Sequence, residues 1–172
     1  MKFAYADPPY FGVARKHYGR LHAEAGVYDT IEGHRALIDR LGAEYPDGWA
    51  LSCTSGNLRD LLPLTPDDCR IGAWVKPFAS FKPGVNPAYA WEPVIWRGGR
   101  KRERTEVTVR DWCSANITLR RGTPGAKPLA FCRWLFDLLG AQPGDTWDDL
   151  FPGSGAVGRA WDGFTLQLTA LP

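Results

Sequence analysis

A chain of 172 residues and 19.1 kDa is the size of one domain, which argues against an enzyme built from separate substrate and cofactor modules. Its 44% hydrophobic and 23% charged residues, with 19 Gly and 14 Pro, describe a loop-rich globular protein with its own core rather than a disordered or fibrous one. Lys and Arg outnumber Asp and Glu by only 21 to 19, so no global field announces a polyanionic partner and any basic footprint must be local.

Met1-Lys2 enters a strand-like run without a charged-then-apolar leader, and no apolar run reaches membrane-spanning length; a cytoplasmic protein with no membrane partner is expected. Lys2 to Ala6 has no helical spacing and stops at Asp7-Pro8-Pro9, where two prolines withhold ladder donors, so a buried strand ending in a stiff loop is predicted. Asp29 and Glu32 resemble the start of a capped helix, and Ile31, Ile38, Leu41 and Tyr45 share a face until Pro46-Asp47-Gly48 breaks it. A strand over Trp49 to Cys53 follows. Strand, helix and strand with short connections make a parallel crossover unit, hence an open α/β sheet that gathers ligands at the carboxyl ends of its strands, where the Asp7 loop lies.

Ile71 to Val75 and Trp91 to Trp96 are further β-like runs that could pair as an antiparallel edge, the second followed by Gly98-Gly99. Lys127-Pro128 opens a helix with Phe131, Leu135, Leu138 and Leu139 on its apolar face, closed by Gly140. Thr146 to Phe151 reads as a strand, and Pro152-Gly153-Ser154-Gly155 as a turn into a helix from near Ala156. Cys53, Cys69, Cys113 and Cys132 are too widely spaced for a zinc or redox motif and read as reduced, mostly buried thiols. His17, His22 and His34 match no metal spacing, so no metal is expected.

Asp7-Pro8-Pro9-Tyr10 packs a carboxylate, a carbonyl without a competing neighbouring N–H and an aromatic ring into four rigid residues. Such a set suits a planar amine: Asp7 and the Pro8 carbonyl accept its two N–H bonds, and Tyr10 stacks on the ring that carries it. The bland alternative is a proline-rich turn capped by an aspartate. The Gly153-Ser154-Gly155 turn lets backbone approach an anionic group at a helix start, though the same turn also serves with no ligand at all. Arg97, Arg100, Lys101, Arg102 and Arg104 form the one concentrated basic stretch, followed by Arg110, Arg120 and Arg121; it reads either as a phosphate grip or as a solvated hairpin tip diluted by Glu103 and Glu106. Trp74, Trp91, Trp96 and Trp134 read as core.

Three of these segments together resemble the amino-group methyltransferases of the S-adenosylmethionine-dependent DNA methyltransferase family. Asp7-Pro8-Pro9-Tyr10 is similar to its catalytic motif, Asp149-Leu150-Phe151-Pro152-Gly153-Ser154-Gly155 to its cofactor loop, and Thr123-Pro124-Gly125-Ala126-Lys127-Pro128-Leu129 to the segment before that loop. The catalytic motif precedes the cofactor loop, as in the circularly permuted beta class. The resemblance implies a single Rossmann-like α/β domain over residues 1–172, mostly parallel with an antiparallel edge hairpin, and residues 97–126 as a small target-recognition region. It implies catalysis by Asp7, Pro8, Pro9 and Tyr10, S-adenosylmethionine held by Asp7, Lys127, Pro128, Asp149, Phe151, Pro152, Gly153, Ser154 and Gly155, and DNA held by Arg97, Arg100, Lys101, Arg102 and Arg104. The aspartate favours the N6 amine of adenine; the N4 amine of cytosine, RNA or a nucleoside, and a non-catalytic nucleic-acid-binding subunit are the alternatives. None of the cysteines follows a proline, which disfavours ring-carbon methylation. After Gly155 the chain has room for one helix and one strand, which the resemblance sets at Phe164 to Thr169; the family carries a further strand, so the sheet looks truncated, and Gln167 or Thr169 would replace the family's ribose-binding acid. A second copy could complete that edge as a homodimer.

Overall fold

The computed structural model describes residues 1–11, 23–78, 84–118 and 126–169. His17, His22, Arg120, Arg121 and Thr123 to Gly125 lie outside the described residues, as do the side chains of Gln167 and Thr169. One six-stranded sheet organises the rest, in the order β5-β3-β4-β2-β1-β6. Its strands are β1 (Lys2–Ala6), β2 (Gly48–Ser52), β3 (Arg70–Val75), β4 (Trp91–Gly98), β5 (Trp112–Ser114) and β6 (Thr146–Asp149). β1 runs parallel to both β2 and β6, and β3 runs parallel to β5. Only β4 is reversed, pairing antiparallel with β2 and β3. β3 and β4 therefore form the expected antiparallel pair, with β5 adding beyond β3 so that the pair sits one strand in from the edge.

The faces are covered as the apolar patterns require. On one side α1 (Ile31–Glu44) and the single turn α2 (Leu58–Leu61) bury Leu37, Ile38, Leu41 and Leu61 against Ala4, Trp49, Leu51 and Ile95. α1 begins one residue later than Asp29 suggests. Thr30 has extended backbone and its hydroxyl accepts the Gly33 N–H at 3.1 Å, the geometry of an N-cap. On the other side α3 (Leu129–Leu139) and α4 (Ala156–Thr169) enclose an aromatic core. Phe136 meets Trp147 and Trp161 edge-on with ring centres 4.6 and 5.1 Å apart, arrangements that add to the area they bury. Gly140 closes α3 at φ +64, a left-handed conformation that glycine adopts without a Cβ clash.

Two expectations fail here. Phe164 to Thr169 is not a strand but the last turns of α4, because Val157, Ala160, Trp161 and Phe164 recur at helical spacing and continue the apolar stripe that packs on Phe136. β6 is consequently the terminal strand on its side among the described residues. Trp74, Trp96 and Trp134 are buried, whereas Trp91 is 40% exposed at the first position of β4, opposite exposed Val75. Among the described residues no helix is long and apolar enough to cross a membrane.

Candidate active site

β1 and β6 are neighbours running the same way, with Tyr5 in register with Asp149, so the loops that leave their carboxyl ends emerge side by side. The Leu150 N–H donates to the Tyr5 carbonyl at 2.9 Å and carries the pairing one step past the strand. Asp7-Pro8-Pro9-Tyr10 is thereby set beside Asp149 to Gly155. The glycine turn is tight: the Gly155 N–H bonds the Pro152 carbonyl at 2.6 Å, Phe151 N–H donates to Asp149 Oδ1 at 3.3 Å, and Gly153 and Gly155 take φ of +46 and +69. α4 starts immediately after. A cleft of about 300 Å³ opens beside this turn, lined by Thr118, Lys127, Pro128, Ser154, Arg159 and Ala160 among others.

Lys127, at the mouth of α3, is the hub. Its ammonium is 3.1 Å from Asp7 Oδ2 and 3.3 Å from Glu92 Oε2, and Glu92 Oε1 is paired in turn with Lys76. Its side chain is 6% exposed, so these charges meet in a low-dielectric interior where unpaired ions are costly. Burial by itself would lower the lysine, but Asp7, Tyr10, Tyr5 and Glu92 outweigh it and hold the ammonium well above its ordinary range. Asp7 is raised by burial, against the pull of Lys127. Burial also pushes Glu92 up, yet Lys127 and Lys76 together hold it below the usual carboxylate range. Burial raises Asp149 to about 6, with Asp7 adding to the rise. Burial likewise lifts Tyr10 well above the ordinary phenol, and its side chain therefore stays neutral.

Two acceptors in this corner have no partner among the described residues: Asp7 Oδ1 and Asp149 Oδ2, both buried. Arg159, whose guanidinium lies over Gly155, has no acidic partner among them either. Asp7 and Asp149 do not line that cleft, but their orphaned carboxylate oxygens suit a ligand that brings cationic or N–H groups, and the Arg159 guanidinium at the cleft wall suits one that also carries an anion. An amino-acid-like ligand with a ring amine beside it matches this donor set.

The basic stretch is elsewhere. Gly98 is in register with Gly48, which pairs with Phe3 near the start of β1, so Arg97 to Arg104 leave the sheet at the end opposite Asp7. Arg97 Nε donates to Asp68 at 2.7 Å, Arg100 grips both Asp145 oxygens at 2.8 and 2.7 Å, and Arg102 donates to the Asp137 carbonyl and pairs with Glu106 at 3.7 Å. Lys101 and Arg104 have no such partner among the described residues.

Sequence reasoning missed Glu92 and Lys76. Glu92 is a lone acid in the run Trp91 to Trp96, and Lys76 follows the apolar run of β3; an isolated charge inside strand-like sequence was the available signal. His34 is buried, its Nε2 3.0 Å from the Tyr28 carbonyl and its Nδ1 without a hydrogen-bond partner among the described residues. No group of three His, Cys, Asp or Glu among the described residues could hold a metal ion. The four cysteines are free, Cys53 and Cys132 buried, Cys69 and Cys113 half-buried.

No family model matches the chain. No curated protein matches its sequence. Solved structures do match its fold. The crystal structure of M1.HpyAVI in complex with SAM is similar over 95% of this chain and 78% of that one, at 16% identity and a TM-score of 0.59. TTHA0409, named as a candidate DNA modification methylase of Thermus thermophilus, is similar over 96% of this chain and 77% of that one, at 15% identity and a TM-score of 0.56. Its structure complexed with S-adenosyl-L-methionine aligns over 96% of this chain and 78% of that one, at 16% identity and a TM-score of 0.52. At these identities the likeness establishes the architecture: the α/β sheet seen in those structures.

Proposed function

We propose that this protein is an S-adenosylmethionine-dependent DNA methyltransferase acting on the N6 amine of adenine. The observation that carries the reading is the buried Oδ1 of Asp7, which has no partner among the described residues and is held beside the glycine turn at adjacent carboxyl ends of β1 and β6. The likeness to M1.HpyAVI and TTHA0409, whose structures were determined with the same cofactor, supports it. Lys127, Pro128, Asp149, Phe151, Pro152, Gly153, Ser154 and Gly155 would hold the cofactor, with the orphaned Asp149 oxygen available to its ammonium. When bound, S-adenosylmethionine supplies an electrophilic methyl group on a sulfonium.

The residues of the chain do the rest by positioning. The lone pair of an exocyclic base amine is delocalised into the ring, so the nitrogen attacks well only when acceptors hold its two N–H bonds. Asp7 Oδ1 and the Pro8 carbonyl supply them, Pro9 fixes the turn, and Tyr10, kept neutral by burial, stacks on the base. A base within a duplex must be flipped out to reach them, at about a few kcal/mol that a single strand does not spend. Because Arg97 to Arg104 sit at the opposite end of the sheet, their share of DNA binding would be to backbone remote from the target base.

Incubating the protein with cofactor and DNA, digesting to nucleosides and quantifying each methylated species tests the reading. N6-methyladenine should accumulate, and Asp7→Ala should lower its rate by about 100-fold or more. N4-methylcytosine as the sole product would overturn the base assignment. No product on DNA, RNA or nucleosides would overturn the enzyme.

A further inference from the structure

Methyl transfer to an amine creates a proton problem that the buried charges of this site are arranged to meet. The nitrogen lone pair becomes the N–CH3 bond, the S–CH3 pair stays on sulfur, and the nitrogen is left with one proton too many. Asp7, the carboxylate proposed to hold the amine, is the base available, its Oδ1 without a partner among the described residues and its Oδ2 3.1 Å from the Lys127 ammonium. If Asp7 takes the proton, Lys127 loses the charge of one of its two anions inside a protein interior. The remaining partner is Glu92, 3.3 Å away and braced from behind by Lys76.

Resting on the methyltransferase reading above, we infer that Glu92 is a positioning residue: it keeps Lys127 paired so that Asp7 can pass between carboxylate and carboxylic acid without stranding a buried ammonium. The four groups alternate in sign, Lys76, Glu92, Lys127, Asp7, and carry no net charge when all are ionised. Protonating Asp7 adds one charge, which the Glu92 carboxylate holds as part of an intact ion pair. Without Glu92, Asp7 is the one acidic partner left to Lys127 among the described residues; the pair closes, Asp7 becomes a weaker base, and its oxygens turn from the target amine to the ammonium.

Other groups face Asp7 as well. Tyr5 and Tyr10 remain neutral, with Tyr5 Oη 2.8 Å from Ser52 Oγ; Asp149 lies across the glycine turn; and Cys53, raised to about 12 by burial, stays a thiol. Asp149 titrates nearest to the working range, so its contribution is separated by repeating each titration in an Asp149→Asn background.

The experiment compares wild type with Glu92→Gln and Lys76→Met. Asp7 is followed by carboxyl 13C chemical shift in the protein without substrate, and kcat and KM for DNA are followed against pH. Removing the Glu92 charge should move the Asp7 titration and the acid limb of kcat to lower pH by at least about half a unit, with kcat down about ten-fold. Removing Lys76 leaves Glu92 pulling harder on Lys127, so both should move to higher pH. Opposite movements are not what damage to the fold produces. Movement in the same direction, or none, in folded variants overturns the inference. The carbon-13 titration needs no turnover, so a protein that methylates nothing would sink the enzyme reading while the charge arrangement is still decided.

Discussion

At the residue scale the glycine turn and Asp149 make separable demands. Gly153 sits at φ +46, and a Cβ there would touch only the Phe151 carbonyl at 3.7 Å, so the constraint is conformational rather than steric. A branched side chain in the left-handed region costs about 1–2 kcal/mol and pushes the turn to another shape. Gly153→Val should therefore fold and yet bind S-adenosylmethionine about ten-fold more weakly by calorimetry; undiminished affinity would remove this turn from the cofactor site. Asp149, raised to about 6 from 3.8, binds its proton more tightly folded than unfolded. Its stabilising contribution is whole below about pH 4 and is lost as the pH climbs through 6. Asp149→Asn should thus gain stability relative to wild type between pH 4 and pH 7, read as a widening difference in Tm. A difference that stays constant across that interval contradicts the placement of the carboxyl.

At the scale of elements, α1 depends on a cap that one side chain supplies. Thr30→Ala frees the Gly33 N–H and should cost about 1 kcal/mol in denaturant unfolding with an unchanged m-value. A loss within error would mean that packing of Leu37, Ile38 and Leu41, rather than the cap, fixes the start of the helix. Periodicity made α1, α3 and β1 readable, because each has a one-sided or uniformly apolar pattern ended by Pro or Gly; β6, Thr146-Trp147-Asp148-Asp149, has no such pattern and was readable from the glycine turn that follows it. The family resemblance misled at Phe164 to Thr169, where a short run with apolar residues is ambiguous between strand and helix until its packing on Phe136 is known. Of the site, Asp7, Lys127 and Asp149 were legible as motif members. Glu92 and Lys76 were not, since the antiparallel pairing that sets Trp74 opposite Glu92 and brings the two charges together links residues with no local relation in sequence.

At the scale of the molecule, the arginine-rich stretch belongs to the architecture as much as to any ligand. Arg100 ties the start of β6 to the end of α3, gripping Asp145 and donating to the Gly140 carbonyl at 2.9 Å. The unpaired cations are the ones to remove if nucleic acid is to be tested. Lys101→Ala with Arg104→Ala should lower the slope of log affinity against log salt by about 2 if both neutralise phosphates, and leave it unaltered if they only face water. Asp145 serves a second master at the same point, since the Met1 ammonium lies 2.7 Å from it across a separation of 144 residues. β1, the first strand in the chain, has β6 as one of its two neighbours. While the chain is being made, that flank of β1 stays bare until nearly every other strand and helix has appeared. Closing so long a loop is slow and cannot proceed by local steps alone. Biogenesis of this fold is therefore gated by its last strand, and a nascent chain halted before residue 146 would offer β1 to whatever extended segment came by.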